Sequence, residues 1–392
     1  MDKRWRYEVG FIGGNNMDFT ELTEYLSRID HNLIPDCEIA VYKDHECIYK
    51  NSFTKPDYNP DEAKKDTYFL FSATKVITCT SAMRLVEEGK LGLDDPVSKY
   101  LPEFANLYVK SGNNDKVPAK NTLTVRHLFS MQGGFNYNFR YESIQKVISE
   151  SNNQASTREI VAAIAQMPLE FEPGTNFHYS LCHDILAAVV EVAAGKKFSK
   201  YLNEVIFEPL GMKDTTFVLT DDIRSRMKQQ YSVDPVTFTA VPKEATCAYC
   251  LSENYESGGA GLISTLEDYV KFIDAMACGE SKDGYRILKP ETIELMKTNQ
   301  LGEKSLKTFR ANTHNKGYGY GLGVRTMMDQ NIENSQSPFG EFGWDGAAGA
   351  YCLIDTENHL SIFYAQHVLG CSYAYSTVHK AIRNLVYKAL EK

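Results

Sequence analysis

Ser72 and Lys75 stand three residues apart in the stretch Tyr68-Phe-Leu-Phe-Ser-Ala-Thr-Lys75, a spacing that suits a nucleophile and its base. On a helix that separation is nearly one turn, so the lysine projects from the same face as the serine and can reach its hydroxyl. A serine hydroxyl attacks poorly until a neighbour takes its proton. A lysine, with an ordinary pKa of about 10.4, acts as that neighbour only where its charged form is disfavoured. Lowering it by roughly 3 units corresponds to about 4 kcal/mol, which calls for a dry pocket and a further cationic or hydrogen-bonding neighbour. Ser-x-x-Lys also occurs at Ser52/Lys55, Ser143/Lys146 and Ser225/Lys228. Only Ser72 follows an apolar, strand-like run and opens a long helical pattern, with Val76, Met83 and Val86 near one face and Gly89 as a left-handed stop.

The elements around this stretch imply how it is held. Residues 19–29 read as an amphipathic helix, and 37–42 and 47–51 as an antiparallel hairpin about a polar turn. The middle of the chain is mostly helical, with patterns at 124–131, 157–167, 180–194 and 201–210, whereas 111–120 reads as a surface loop and 233–245 as an extended, loop-like segment. A small-residue run at 257–263, a helix at 265–276, strands at 318–324, 350–355 and 360–366 and a helix at 378–390 complete the chain. Strands at both ends with helices between imply an α/β architecture of the α+β type: one sheet flanked by helices and built from 1–100 and 255–392, with a helical lobe of 101–254 inserted.

Composition narrows the function. A chain of 392 residues, 43% hydrophobic with 24 Tyr and 20 Phe, buries a large core and is not disordered. No apolar run approaches the roughly 20 residues of a membrane span. A net charge of −9 leaves no footprint for nucleic acid or an anionic membrane, so the expected partner is a small molecule. The charged start, Met1 to Tyr7, lacks an apolar secretory segment behind it, which makes the cytoplasm the default. Nine scattered cysteines fit reduced thiols. Cys247-Ala-Tyr-Cys250 has no second pair or nearby histidine to complete a zinc site, so neither metal nor cofactor is expected.

Ser72-Ala-Thr-Lys75 resembles the nucleophile motif of the penicillin-recognising serine hydrolases, the group of class C β-lactamases, D-amino-peptidases and family VIII carboxylesterases. Other stretches fall in that group's order: Gly89 to Glu103, Thr124 to Leu128, Phe171-Glu-Pro-Gly-Thr175, Phe207 to Lys213 and Gly258 to Ser264. The resemblance spans roughly residues 35 to 385 and implies the β-lactamase/transpeptidase-like fold. It implies that Tyr179, opening a helix of the inserted lobe, is the third catalytic side chain; either Tyr179 or Lys75 would take the serine proton. It further implies that Gly343-Trp-Asp-Gly-Ala-Ala-Gly349 is the strand beside the serine, with the amides of Ser72 and Ala347 forming an oxyanion hole.

Departures from the lactamase pattern bear on substrate. Leu181 stands where lactamases carry Asn, and Trp344 where they carry Lys; both resemble family VIII carboxylesterases. Trp344, Asp345, Gly346, Leu181 and Asn138 are therefore the expected substrate contacts, with Asp345 repelling a substrate carboxylate and Leu181 offering an apolar wall. The expectation is a metal-free serine hydrolase forming an acyl-serine, a carboxylesterase on small esters. A β-lactamase, D-amino-peptidase or amidase of the same fold, or an acyltransferase, is the alternative.

Overall fold

The computed structural model describes residues 6–9, 17–55, 57–112 and 115–391; the charged segment through Trp5 lies outside them. An eight-stranded sheet runs in the order Arg6–Val9, Glu46–Thr54, Asp36–Lys43, Leu360–Ala365, Tyr351–Asp355, Phe342–Gly343, Arg325–Met327 and Tyr318–Tyr320. Every neighbouring pair is antiparallel. The chain's two ends meet where Asp36–Lys43 pairs with Leu360–Ala365, Ala40 opposite Phe363. This is the sheet built from both termini that the sequence pattern implies.

Alternation along the central strands divides the core. Ile39, Val41, Leu353, Ile362 and Tyr364 point to a layer closed by Leu22 and Leu26 of the helix Thr20–Ser27 and by Ile382 and Val386 of the C-terminal helix His379–Leu390. Ala40, Cys352, Ile354 and Phe363 point the other way, where Tyr269 of the helix Leu266–Cys278 stacks on Phe363 at 4.3 Å. That second layer is continuous with the helix Thr74–Glu87 and, through Val76 and Ile77, with Leu128, Ile160 and Leu186 of the inserted helical segment. The Ser72 helix is thus clamped between sheet and insertion. Only Arg84, Val86 and Glu87 along it escape full burial.

The structure corrects several local expectations. Residues 111–120 do not form a plain loop: Tyr108–Ser111 and Asp115–Pro118 pair as a hairpin, and since only Val109 of it is buried there is no alternation to betray it. The segment 233–245 likewise contains a strand, Ala240–Lys243, which pairs with Gln230–Val233. The helices Glu142–Glu150, Pro290–Lys297 and Glu303–Asn312 are additions to the expected set; the last buries only Ser305 and Phe309, too few residues for a legible apolar stripe.

Candidate active site

A short strand, Thr67–Phe69, carries the chain to Ser72 and pairs with Ile263–Thr265. Ser72 sits in the tight turn Phe71–Ala73 that feeds the helix Thr74–Glu87. Phe71 immediately before it has φ +47°, a conformation that costs a bulky residue roughly 1–3 kcal/mol and is held here by complete burial of its ring.

Lys75 occupies the first turn of that helix with no exposed surface. Its Nζ lies 3.2 Å from Ser72 Oγ and donates to the Gly259 carbonyl at 2.6 Å. Burial lowers its pKa to about 8, the buried Asp184 carboxylate being the largest opposing influence. At that value a useful fraction of the amine is neutral near pH 7 to 8, with one N–H held by Gly259 and the lone pair free to face the serine.

Gly259 depends on its size. A Cβ there would lie 2.5 Å from Asp184 Oδ2, and the neighbouring Gly258 has the same problem with the His183 carbonyl at 2.5 Å. Asp184 anchors this loop by accepting from Ser257 Oγ at 2.6 Å, Tyr255 Oη at 2.8 Å and the Gly259 N–H at 3.4 Å. One buried acid on the helix Cys182–Ala194 thus fixes the carbonyl that holds Lys75 and sets the field the lysine feels.

Tyr179 precedes that helix. Its phenol accepts from Trp344 Nε1 at 2.9 Å and shares a cavity with Ser72, while its ring stacks on Trp344 at 5.4 Å and lies 4.6 Å from Lys75 Nζ. Desolvation raises its pKa, outweighing the hydrogen bond from Trp344 and the nearby Ser72 hydroxyl, so the phenol is neutral at ordinary pH. Of the two proton acceptors the sequence leaves open, the lysine is the one whose environment favours the basic form.

The third wall is the turn after Phe342–Gly343. A Cβ on Gly346 would meet the Leu70 carbonyl at 2.3 Å, so glycine lets this segment close on the approach to Ser72, and Tyr375 Oη ties it down by donating to the Gly346 carbonyl at 2.8 Å. Ala347 and Ser72 both line one cavity of about 260 Å³. Among the described residues the Ala347 N–H donates to no backbone carbonyl, so it is available to an incoming oxygen.

Other expected contacts fall differently. Trp344, Asp345 and Gly346 line the cavity. Leu181 does not: it is buried in the core immediately before the helix Cys182–Ala194. Asn138 is exposed, its side chain accepting from the Arg140 N–H in a surface turn, and it does not line that cavity; its neighbour Tyr137 faces Tyr179, at 5.9 Å. Asp345 is not an isolated negative charge, because Arg325, 1% exposed, binds it at 2.7 Å and also donates to the Cys352 carbonyl. The repulsion expected of Asp345 is largely neutralised, and Arg325 is committed and cannot swing over Ser72. His183 is packing: its Nε2–H donates to the Phe129 carbonyl at 3.1 Å, and burial lowers its pKa to about 3.

The remaining Ser-x-x-Lys pairs are engaged elsewhere. Lys228 is buried against Asp36 at 2.9 Å, Lys146 pairs with Glu150, and Lys55 with Asp57. Cys247 Sγ donates to the Ala260 carbonyl at 3.4 Å. Among the described residues the cluster of metal-ligand types is His45, Asp274 and Cys278, none of which lines the cavity.

A family model described as Beta-lactamase matches residues 28–370. The chain belongs to the Beta-lactamase family. Within it, the lovastatin esterase of Penicillium rubens is 29% identical over 318 residues, covering 75% of this chain and 78% of that protein. The esterase EstB of Burkholderia gladioli is 28% identical over 321 residues, covering 76% and 77%. Among solved structures, unliganded simvastatin synthase (LovD) from Aspergillus terreus superposes with a TM-score of 0.79 at 20% identity, over 96% of this chain and 99% of that one. The expected fold is therefore the observed one, and the chain is a hydrolase of the β-lactamase fold.

Proposed function

We propose that the protein is a metal-free serine carboxylesterase working through an acyl-Ser72 intermediate. The observation that carries this reading is the buried Lys75 amine, 3.2 Å from Ser72 Oγ and with its pKa lowered to about 8. Neutral Lys75 removes the Ser72 proton as Oγ bonds to the ester carbonyl carbon, and the carbonyl π electrons move onto oxygen. The Ser72 and Ala347 amides hold that oxyanion, a pair in which losing one donor typically costs on the order of 10²-fold. When the tetrahedral adduct collapses, the alkoxide leaves with a proton from the Tyr179 phenol, which Lys75 replenishes. Water then repeats the sequence on the acyl-enzyme and releases the acid.

The wall next to Tyr179 favours an ester over a lactam. Trp344 supplies an indole stacked on the phenol where a cation would hold a lactam carboxylate, and Arg325 is already paired with Asp345. A charge-assisted bond of that kind is worth about 1.5–3 kcal/mol, or roughly 10- to 150-fold. The two esterases named above support the same choice, and the nine unpaired cysteines support a reducing compartment, the cytoplasm. At matched concentrations, short-chain p-nitrophenyl esters are expected to give a much higher kcat/KM than the chromogenic cephalosporin nitrocefin; a lactam value equal to or above the ester value rejects the esterase reading.

A second reading has its own support: an acyltransferase of Penicillium decumbens is 28% identical over 315 residues, covering 75% of this chain and 74% of that protein. An alcohol replacing water at the acyl-enzyme would yield a new ester, and product partitioning in the presence of added alcohols measures it.

A further inference from the structure

We propose that the cavity contains a hydroxyl-binding notch formed by Asp345 and His379, so that the ester substrate carries a free hydroxyl group away from the scissile bond. The proposal rests on the esterase reading for the word ester, and on independent geometry for the notch.

Both side chains line the same cavity as Ser72. The His379 ring is 3% exposed, stacked on Tyr351 at 4.8 Å and met edge-on by Tyr375 at 5.2 Å. Its Nε2 faces the Gly349 carbonyl at 3.1 Å; a carbonyl only accepts, so Nε2 carries the hydrogen. Burial lowers the ring's pKa to about 4, which keeps it neutral and leaves Nδ1 as a bare acceptor. That Nδ1 has no hydrogen-bond partner among the described residues, although it is buried. A buried acceptor without a donor is costly, and such atoms concentrate where a ligand completes them.

Asp345 supplies the opposite side. Arg325 takes its Oδ1 at 2.7 Å, while Oδ2 stands 4.0 Å from His379 Nδ1. Two acceptors 4.0 Å apart cannot bond each other, but one donor group set between them lies within hydrogen-bond reach of both. The notch therefore selects for donors and against plain methylene or carboxylate groups. Charge decides among donors. Asp345 is already paired with Arg325 at 2.7 Å, so its carboxylate has little charge left to offset the desolvation of an ammonium, whereas a hydroxyl gives its hydrogen to either acceptor without that penalty. Nothing in the proposed proton transfer uses His379 or Asp345, which leaves recognition as their role.

Two pairs of esters separate the positions the hydroxyl can take. In the first, p-nitrophenyl hexanoate is compared with its terminally hydroxylated counterpart, placing the hydroxyl on the acyl group. In the second, butyl butyrate is compared with the hydroxybutyl ester, placing it on the alcohol. In one pair or the other, kcat/KM for the hydroxylated member is expected to be higher by about tenfold, the size of one hydrogen bond to a charged acceptor. The preference should fall by at least half in His379→Phe, which keeps the ring packing and removes one of the two acceptors. Titration calorimetry on Ser72→Ala with the same pairs reads binding without turnover, so the notch is tested even if the esterase reading fails. Tighter binding of a hydroxylated member that needs His379 upholds the notch whether or not the wild type hydrolyses it. Equal kcat/KM and equal binding within both pairs, the result of a bridging water only, overturns it. So does a preference unchanged in His379→Phe, or a stronger preference for the terminal amine.

Discussion

Replacing Asp184 with asparagine isolates one charge at the centre of the proposed mechanism. The side chain keeps its shape and the oxygen that accepts from Tyr255 at 2.8 Å and Ser257 at 2.6 Å, but the negative charge facing Lys75 disappears. Asp184 is the largest influence holding the Lys75 pKa up against burial. Burial raises the pKa of Asp184 itself, whereas the Tyr255 and Ser257 hydroxyls and the Gly259 N–H, all donating to its Oδ1, and the lysine favour the carboxylate. Gly259 bridges the two groups, its carbonyl 2.6 Å from Lys75 Nζ and its N–H 3.4 Å from Asp184 Oδ1, so the charges lie on the order of 6–8 Å apart and at an effective dielectric of about 20 interact by about 2–3 kcal/mol. That corresponds to about 1.5–2 pK units. A base works when neutral, so wild-type kcat/KM is expected to rise with pH through the Lys75 value of about 8 and then level off. In Asp184→Asn the rise should move down by roughly 1.5–2 pH units, while the plateau falls by about 5- to 10-fold because a weaker base drives the transfer less. A pH-stat assay on a short-chain ester, with circular dichroism to verify folding, follows both quantities. A rise that stays at the wild-type pH, or moves upward, refutes Lys75 as the titrating base coupled to Asp184.

Two further substitutions test the proton path and its support. Tyr179→Phe keeps the stack on Trp344 but deletes the hydroxyl proposed to protonate the leaving group, so kcat should drop by at least about 10²-fold in steady-state kinetics with little change in thermal stability. Gly259→Ala puts a methyl group 2.5 Å from Asp184 Oδ2; the loop must shift and draw its carbonyl away from Lys75, lowering kcat by at least about tenfold, and activity within twofold of wild type would contradict the positioning role.

Much of this arrangement is legible in the chain because it depends on short-range spacing. Ser72 and Lys75 share a helix, and an apolar strand and an αL glycine bound it, so periodicity alone places both groups on one face. The two-ended sheet is legible for the same reason: its central strands alternate cleanly between two apolar layers. What the sequence hides is long-range. Asp184 interrupts an apolar helix, a signal that something polar must face it, but its partners Tyr255 and Ser257 come from a loop more than seventy residues on. The pairing of Arg325 with Asp345 crosses two strands, and without it Asp345 reads as a bare repulsive charge. Leu181 and Asn138 occupy suggestive sequence positions, but Leu181 turns into the core and Asn138 into a surface turn, directions that spacing does not encode. The polar helix Glu303–Asn312 and the exposed hairpin about residue 112 bury too little to leave a pattern.

The central claim is that Ser72, activated by Lys75, forms the covalent intermediate. Labelling the folded protein with a fluorophosphonate probe and locating the adduct by mass spectrometry tests it most directly. The adduct is expected on Ser72, to be lost in Ser72→Ala, and to persist in Ser52→Ala, Ser143→Ala and Ser225→Ala, whose lysines are held elsewhere by Asp57, Glu150 and Asp36. Labelling that persists in a folded Ser72→Ala protein would contradict the assignment.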